Sequence, residues 1–301
     1  PCVTIPDSVV RIGAAAVSSC GLLKDIAIGN QVREIGDSAF ERCYSLANAT
    51  LPDGITNMGI RLFALCNSLG NVVIPDGAPN IGEMMFCYCT ALTNVVIGHG
   101  VGDIGVNAFA DCTNLASLTL PDSVTHIGDS AFYGCNSLTN LVLGSGVAHI
   151  GSAAFWGCGG LTGIEIPSSV VRIDSYAFYA CASLTNIVFP DSVTEVGYAM
   201  FHYCGALQSA TIGSGMTRIS GGLFEFCPGL KRVTVGAGVT NVENAAFSEC
   251  GQLTEVYFLG DAPDVDSSVF SGAANAIVYY LPRTEGWEET FGGQPTMPWL
   301  P

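Results

Sequence analysis

The sequence predicts an α/β repeat fold, a right-handed solenoid of about eleven to twelve coils with parallel β ladders and short helical turns. The first observation is a cysteine that recurs every 23 residues over eleven copies, from Cys20 to Cys250. The second is a Phe three residues before this cysteine in ten of the copies and a Leu three residues after it in all of them. Because no single coil could bury these side chains alone, the period indicates identical units that cover one another.

Each coil is predicted to begin with a β-strand. Positions are counted here from the repeat cysteine, so C+6 lies six residues after it. Residues at C+6 and C+8, such as Val72 and Ile74, are mostly β-branched or Leu, and a spacing of two places both side chains on one face of a strand. Pro or Gly at C+9, such as Pro121, ends the strand, and the Asp-Ser or Asp-Gly that often follows favours a turn. A short extended segment then runs from C+12 to C+15, for example from Val124 to Ile127.

The last element of each coil is predicted to be a short helical turn. One such segment runs Asp129-Ser-Ala-Phe-Tyr-Gly-Cys135, in which Asp129 or the following Ser could cap the start. Ala131, Phe132 and Cys135 would then share the inward face of the turn. The same geometry predicts that C−2, the position after the Phe, faces outward.

Repeat positions extend over residues 1–275, where we predict one solenoid, and residues 276–301 are predicted to form a C-terminal capping segment. The chain opens inside a repeat, because Val3 and Ile5 occupy C+6 and C+8. The first coil is therefore expected to be uncapped, and no export signal is visible.

One coil contains Leu138-Thr-Asn-Leu-Val-Leu, then Val147-Ala-His-Ile-Gly and Ala154-Phe-Trp-Gly-Cys158. This pattern resembles the BspA-like class of leucine-rich repeats, and similar units cover about residues 3–275. The segment from Tyr279-Tyr-Leu-Pro through Gly286-Trp to Phe291-Gly-Gly is similar to the closing segment of bacterial members. The resemblance implies an extracellular or cell-surface protein that binds molecules of a host or neighbouring cell, and it implies no particular ligand.

Composition excludes several classes of partner. The chain has 10 Lys and Arg against 26 Asp and Glu, which gives a formal net charge of −16. This balance argues against nucleic acid, whose binding needs a basic surface, and against anionic membrane surfaces. Apolar runs are too short to cross a bilayer, so we expect no direct membrane insertion.

The repeat cysteines are predicted to be free thiols. Eleven is an odd number, and each cysteine occupies the same inward position in its coil, where a small buried apolar side chain is expected. Cys2 and Cys87 lie outside this column and are interpreted as incidental surface thiols. The alternative for Cys2 is a link between two chains.

No motif for catalysis or phosphate binding is present, so we expect neither an enzyme nor a cofactor. Carboxylates of the Pro-Asp turns, such as Asp122, could form a calcium ladder, but acceptance of N–H groups of the same turn is the simpler interpretation. His126 and His149 lie one period apart, with Asp103 one coil earlier, and could share a transition metal. No further His or Cys completes the set, and we predict no metal site.

The first candidate binding surface is a run of ring-bearing residues at C−2. The run consists of Tyr133, Trp156, Tyr179 and His202 on four successive coils, and Tyr176, Tyr198, Tyr203 and Phe226 broaden it. Aromatic side chains are enriched in binding surfaces, which favours a recognition role with Trp156 as the anchor. The alternative is that the rings only cover the neighbouring coil.

The second candidate surface is the outward side of the strand at C+7, where Val96, Thr119 and Val142 lie. The family resemblance implies that partners bind on this strand face. The alternative is that Val and Thr are present only because they suit a parallel ladder.

Together these features predict a non-catalytic surface or secreted module for recognition or adhesion. Its partner would be a protein or glycan on another cell or matrix, bound through the faces of the solenoid. The alternative function is a structural protein that assembles end to end through its uncapped N-terminal coil.

Overall fold

The computed structural model describes residues 1–300 and divides the chain into two compact units, Pro1–Gly159 and Gly160–Pro301, called unit 1 and unit 2 here. Each unit is a β-solenoid, and together they contain about twelve turns of parallel strands with a repeat of about 23 residues. The predicted parallel solenoid is thus confirmed. Among the described residues all regular structure consists of strands, and no helix is long and apolar enough to cross a membrane.

The strands are numbered in chain order, and most lie at one of two positions of the repeat, either near C+5 to C+8 or at C+14 and C+15. In unit 1 they are β1 (Cys2–Ile5), β2 (Arg11–Ile12), β3 (Asp25–Ile28), β4 (Glu34–Ile35), β5 (Asn48–Thr50), β6 (Asn57–Met58), β7 (Asn71–Ile74), β8 (Asn80–Ile81), β9 (Asn94–Ile97), β10 (Asp103–Ile104), β11 (Ser117–Thr119), β12 (His126–Ile127), β13 (Asn140–Val142) and β14 (His149–Ile150). In unit 2 they are β15 (Arg172–Ile173), β16 (Asn186–Val188), β17 (Glu195–Val196), β18 (Ser209–Ile212), β19 (Arg218–Ile219), β20 (Arg232–Val235), β21 (Asn241–Val242), β22 (Glu255–Phe258), β23 (Asp264–Val265), β24 (Ile277–Tyr280), β25 (Thr290–Phe291) and β26 (Gln294–Pro298).

Strand register follows the sequence period. Val72 of β7 pairs with Val95 of β9, one repeat later, and the short strands at C+14 and C+15 pair in the same way. The last ladder of unit 2 ends differently. β24 pairs in parallel with β22 and β26, and β26 also pairs antiparallel with β25, so a hairpin closes this edge of the sheet.

A column of stacked Phe rings forms the centre of each unit. From Phe40 to Phe247 the repeat Phe side chains are fully buried, and successive ring centroids lie 5.2 to 5.8 Å apart within each unit. The repeat Leu residues are buried as predicted, and so are the repeat cysteines from Cys43 to Cys250. Cys20 is exposed, because its coil has a neighbouring coil on one side only within residues 1–300.

The predicted short helical turn before each cysteine is wrong. In this segment the backbone N–H groups bond to the next coil at alternate residues, as from Phe109 N to Ala131 O (2.7 Å) and from Asp111 N to Tyr133 O (2.7 Å). Residues at C−5 and C−1 have a positive φ, for example Asn107 (53°) and Asp111 (57°). A helix would require bonds to the fourth preceding residue and a negative φ throughout, so stacking between coils replaces the local helix.

Two side-chain roles also differ from the sequence interpretation. The buried thiols are hydrogen-bond donors, since Cys135 Sγ donates to the carbonyl oxygen of Phe109 in the preceding coil at 3.2 Å. Asp122 Oδ1 accepts the N–H of Ser145 in the next coil at 2.8 Å, whereas the sequence suggested its own turn. Both groups therefore connect coils to one another.

Candidate recognition surface

The C−2 aromatic residues are brought together in pairs within each unit. In unit 1 the rings of Tyr133 and Trp156 have centroids 6.0 Å apart and are tilted by 35°. In unit 2 the rings of Tyr179 and His202 are stacked at 5.2 Å with planes 6° apart. The repeat thus places consecutive C−2 side chains in contact within each unit.

C−2 is not the most exposed position of the segment. Tyr133 is exposed, but Trp156, Tyr179 and His202 are half-buried, so the expectation that C−2 faces outward holds only in part. The side chains at C−1 are more open, and Tyr88 and Tyr203 are each 49% exposed. The outward positions differ from those of a helix face because the segment is not helical.

Unit 2 carries a cluster of mutually contacting rings, which we call the six-ring surface. It consists of Tyr176, Tyr179, Tyr198, His202, Tyr203 and Phe226. The His202 ring meets the Tyr203 ring edge-on, with centroids 4.3 Å apart, and Phe226 lies 5.2 Å from His202 and 5.1 Å from Tyr203. Tyr198, Tyr203 and Phe226 are exposed, so a continuous set of ring contacts reaches solvent outside the core.

His202 is the partly buried centre of this surface. Its Nδ1 lies 3.3 Å from Glu225 Oε2, within ion-pair distance but without hydrogen-bond geometry. Burial lowers the pKa of His202, and the opposing effect of the Glu225 carboxylate is smaller. The imidazole is therefore neutral near pH 7.

Unit 1 has a groove that is lined in part by residues at C−2 and C−1. It has a volume of about 320 Å³, and Tyr88, Tyr133, Asn107, Asp111 and Ser130 are among the residues that line it. The carboxylate of Asp111 raises the pKa of the Tyr88 hydroxyl, which shows how closely the acidic and aromatic groups approach each other. The groove combines rings with hydrogen-bonding groups, as ligand sites do.

The strand-face candidates lie on exposed positions. Val96 and Thr119 line a groove of about 400 Å³ together with Asn94 and His99, and Val142 is exposed on β13 outside its lining. The groove occurs where the ladder is interrupted, because β9 ends one sheet and β11 begins another. His99 is the one aromatic side chain among the aliphatic and small polar residues that line it, so this groove has no cluster of aromatic rings.

The rings of the paired histidines contact each other, and a carboxylate lies beside one of them. His126 Nδ1 lies 3.1 Å from Asp103 Oδ1, and the rings of His126 and His149 are nearly perpendicular at 6.0 Å. Within residues 1–300 no three His, Cys, Asp or Glu side chains come together in a way that could hold a metal ion.

Sequence reasoning missed the exposure of the side chains at C−1. Tyr203 and Phe226 were identified only as neighbours of the C−2 residues, and Tyr88 was not identified. A signal was present, because C−1 also places Tyr203 and Phe226 on consecutive coils. It could be interpreted only once the segment was known not to be helical.

Comparison with known proteins agrees with this architecture. The family model for the BspA type leucine rich repeat region matches residues 2–116, 79–170, 102–227 and 148–277. No curated protein matches the chain.

Solved structures of bacterial proteins show the same fold. A leucine rich cell surface protein from Faecalibacterium prausnitzii is 26% identical, with a TM-score of 0.52, and the match covers 93% of this chain and 78% of that one. A leucine-rich repeat protein from Bacteroides ovatus is 24% identical, with a TM-score of 0.57 and coverage of 99% and 92%. The 23-residue period, the stacked parallel strands and the matched residues agree, and the chain belongs to the BspA-type leucine-rich repeat family.

Proposed function

We propose that this chain is a non-catalytic recognition module, displayed on or secreted from a bacterial cell, that binds a protein or glycan through the six-ring surface. The observation that carries the proposal is the set of exposed ring contacts in unit 2. Exposed aromatic clusters are costly for a soluble protein to maintain, and they are enriched where partners bind. Tyr198, Tyr203 and Phe226 would supply the contact area, and the repeat backbone would hold them in place.

The proposed location and mode of action draw on the relatives. The Faecalibacterium prausnitzii protein is described as a cell surface protein, and stacked repeats create extended surfaces suited to binding. An acidic chain does not favour nucleic acid as a partner.

A binding comparison of matched variants tests this function. The purified chain would be measured against immobilised matrix proteins, secreted glycoproteins and bacterial polysaccharides. We expect binding to at least one member of this panel and a loss of about tenfold or more in the double variant Tyr203→Ser, Phe226→Ser, because exposed aromatic residues dominate such contacts.

The control is the double variant Val142→Ser, Val188→Ser, which changes exposed side chains of the strand face instead. Circular dichroism would show that all variants retain the wild-type fold. Loss of binding in the strand-face variant, with the aromatic variant unaffected, would move the site to the strand face and contradict the proposal. Absence of binding to every member of the panel would also contradict it.

A further inference from the structure

Two columns of the six-ring surface end in carboxylates. At C−2 the order along successive coils is Tyr179, His202 and then Glu225, and at C−1 it is Tyr203, Phe226 and then Glu249. Backbone bonds hold these coils side by side, as from Tyr203 N to Glu225 O (3.3 Å) and from Phe226 N to Ser248 O (3.0 Å). Rings and negative charges are therefore neighbours on one face.

Neither carboxylate is neutralised by a cation of the described chain. Within residues 1–300 Glu225 forms an ion pair with His202 alone, and His202 is uncharged near neutral pH. Glu249 is exposed, and within residues 1–300 no Lys, Arg or His side chain forms an ion pair with it. In a chain of formal net charge −16, this face attracts positive charge.

The exposed rings favour a particular kind of cation. Ring faces carry negative charge density, so a cation over Tyr203 or Phe226 is stabilised. A guanidinium group is planar and weakly hydrated, stacks on rings and pairs with carboxylates through several N–H groups, whereas an ammonium group is compact and strongly hydrated. A neutral sugar could stack on the rings but would not compensate the two carboxylates.

The same molecule already contains this arrangement with its own arginine. The guanidinium carbon of Arg232 lies 5.7 Å from the ring centroid of Tyr257, and the group pairs with Glu255. The six-ring surface provides equivalent ring and carboxylate groups, with no arginine of the described chain on them.

We propose that the six-ring surface is a receptor for arginine side chains of a partner protein, which stack on Tyr203 and Phe226 and pair with Glu225 and Glu249. This inference rests on the proposed function and names the partner chemistry of the same site. Each guanidinium group would lie over the ring of Tyr203 or Phe226 and beside the carboxylate of Glu225 or Glu249.

Calorimetric titration with two short peptides tests it directly. One peptide alternates Gly with Arg, and the other replaces each Arg by citrulline, which has nearly the same shape without the charge. We expect the arginine peptide to bind at least about tenfold more tightly, as a charged and stacked contact requires. A peptide with Lys in place of Arg should bind more weakly than the arginine peptide.

Variants locate the binding. Tyr203→Ala with Phe226→Ala, and separately Glu225→Gln with Glu249→Gln, should each weaken arginine-peptide binding at least about tenfold. Tyr44→Ala changes an exposed ring of unit 1 and should leave binding unchanged. Equal affinity for the arginine, lysine and citrulline peptides, or binding that both double variants retain, would overturn the inference.

The panel member that the chain binds can show whether the arginine side chains of a complete partner make this contact. Blocking the arginines of that member with a dicarbonyl reagent should abolish capture, and removal of its glycans should not. If only deglycosylation abolishes capture, the arginine inference fails while the recognition function stands. If no panel member is captured, the function fails, and the peptide titrations still decide whether the surface binds arginine.

Discussion

The sulfur of each buried repeat cysteine acts as a donor as well as a packing group. Cys135 Sγ donates to Phe109 O, and the same bond recurs from Cys66 to Phe40 O and from Cys227 to Phe201 O. Phe109 O also accepts the backbone N–H of Cys112, at 3.1 Å, so the thiol gives this carbonyl oxygen a second hydrogen bond. A weak donor therefore suits the position better than a purely apolar residue of the same size.

We therefore expect Cys135→Ala to lower the free energy of unfolding by about 2 kcal/mol, since it leaves a small cavity and removes one of the two hydrogen bonds to Phe109 O. Cys135→Ser keeps a donor at the same place and should cost less. Denaturant unfolding of the three proteins measures the difference. Equal losses in both variants would show that the hydrogen bond contributes nothing.

Asp122 gives one side-chain contribution to stability that depends on pH. The N–H and hydroxyl of Ser145 lower the pKa of the Asp122 carboxyl. Because the folded-state pKa is depressed, the contribution is present above the unfolded value of about 4 and is lost as pH falls through the folded value. Thermal unfolding between neutral pH and about pH 2 should therefore show a smaller decrease for Asp122→Asn, whose oxygen accepts without titrating. A steeper decrease in the variant would contradict this role.

At the scale of the element, the segment before each cysteine is the clearest departure from local propensity. Ala153 has a φ of 54°, whereas the neighbouring Ala154 lies outside the left-handed region and is fully buried. Left-handed φ costs an Ala about 1 kcal/mol, and Gly avoids this cost.

Ala153→Gly should accordingly leave stability unchanged or raise it by up to about 1 kcal/mol, while Ala154→Gly should lower it by about 1 kcal/mol or more. Chemical denaturation of the two variants provides the measurement. In a helical turn both substitutions would destabilise, since Gly is the poorer helix former at either position. Destabilisation of both variants would therefore contradict the extended, coil-to-coil arrangement.

These elements show what could be predicted from the sequence. The strands were predictable because residues such as Val72 and Ile74 alternate at period two and recur every 23 residues. The segment before the cysteine was not, because capping by Asp129 and the inward Ala131 and Phe132 suit a helix as well as a ladder between coils. Only bonds between coils distinguish the two, and a local pattern does not contain them.

The candidate site was predictable to a similar extent. The C−2 residues were found by their repetition, but their half-burial and the greater exposure at C−1 depend on the backbone of the same segment. The six-ring surface combines both positions, so the sequence predicted where this surface lies but not which of its side chains are the most exposed.

At the scale of the whole molecule, stacking of the coils divides the thiols into three groups. Cys2 and Cys20 are exposed, while burial raises the pKa of buried column members such as Cys66 and Cys158 to about 12. Cys87 is half-buried, and burial raises its pKa to about 11.

An alkylating reagent at pH 8 should modify Cys2 and Cys20 first and Cys87 more slowly, and it should reach the column from Cys43 to Cys250 only after unfolding. Mass spectrometry of timed samples identifies each modified residue. Rapid modification of Cys135 or Cys158 in the folded protein would mean that the coils are not stacked as described.

We expect a partner to bind at the six-ring surface of unit 2. Nitration of exposed tyrosines with tetranitromethane, followed by peptide mapping with and without the bound partner, tests it most directly. Tyr198 and Tyr203 should be protected in the complex, while Tyr44 and Tyr88, which are equally exposed on unit 1, should react at the rate of the free protein. Protection of Tyr44 or Tyr88, with Tyr203 still fully reactive, would contradict the account.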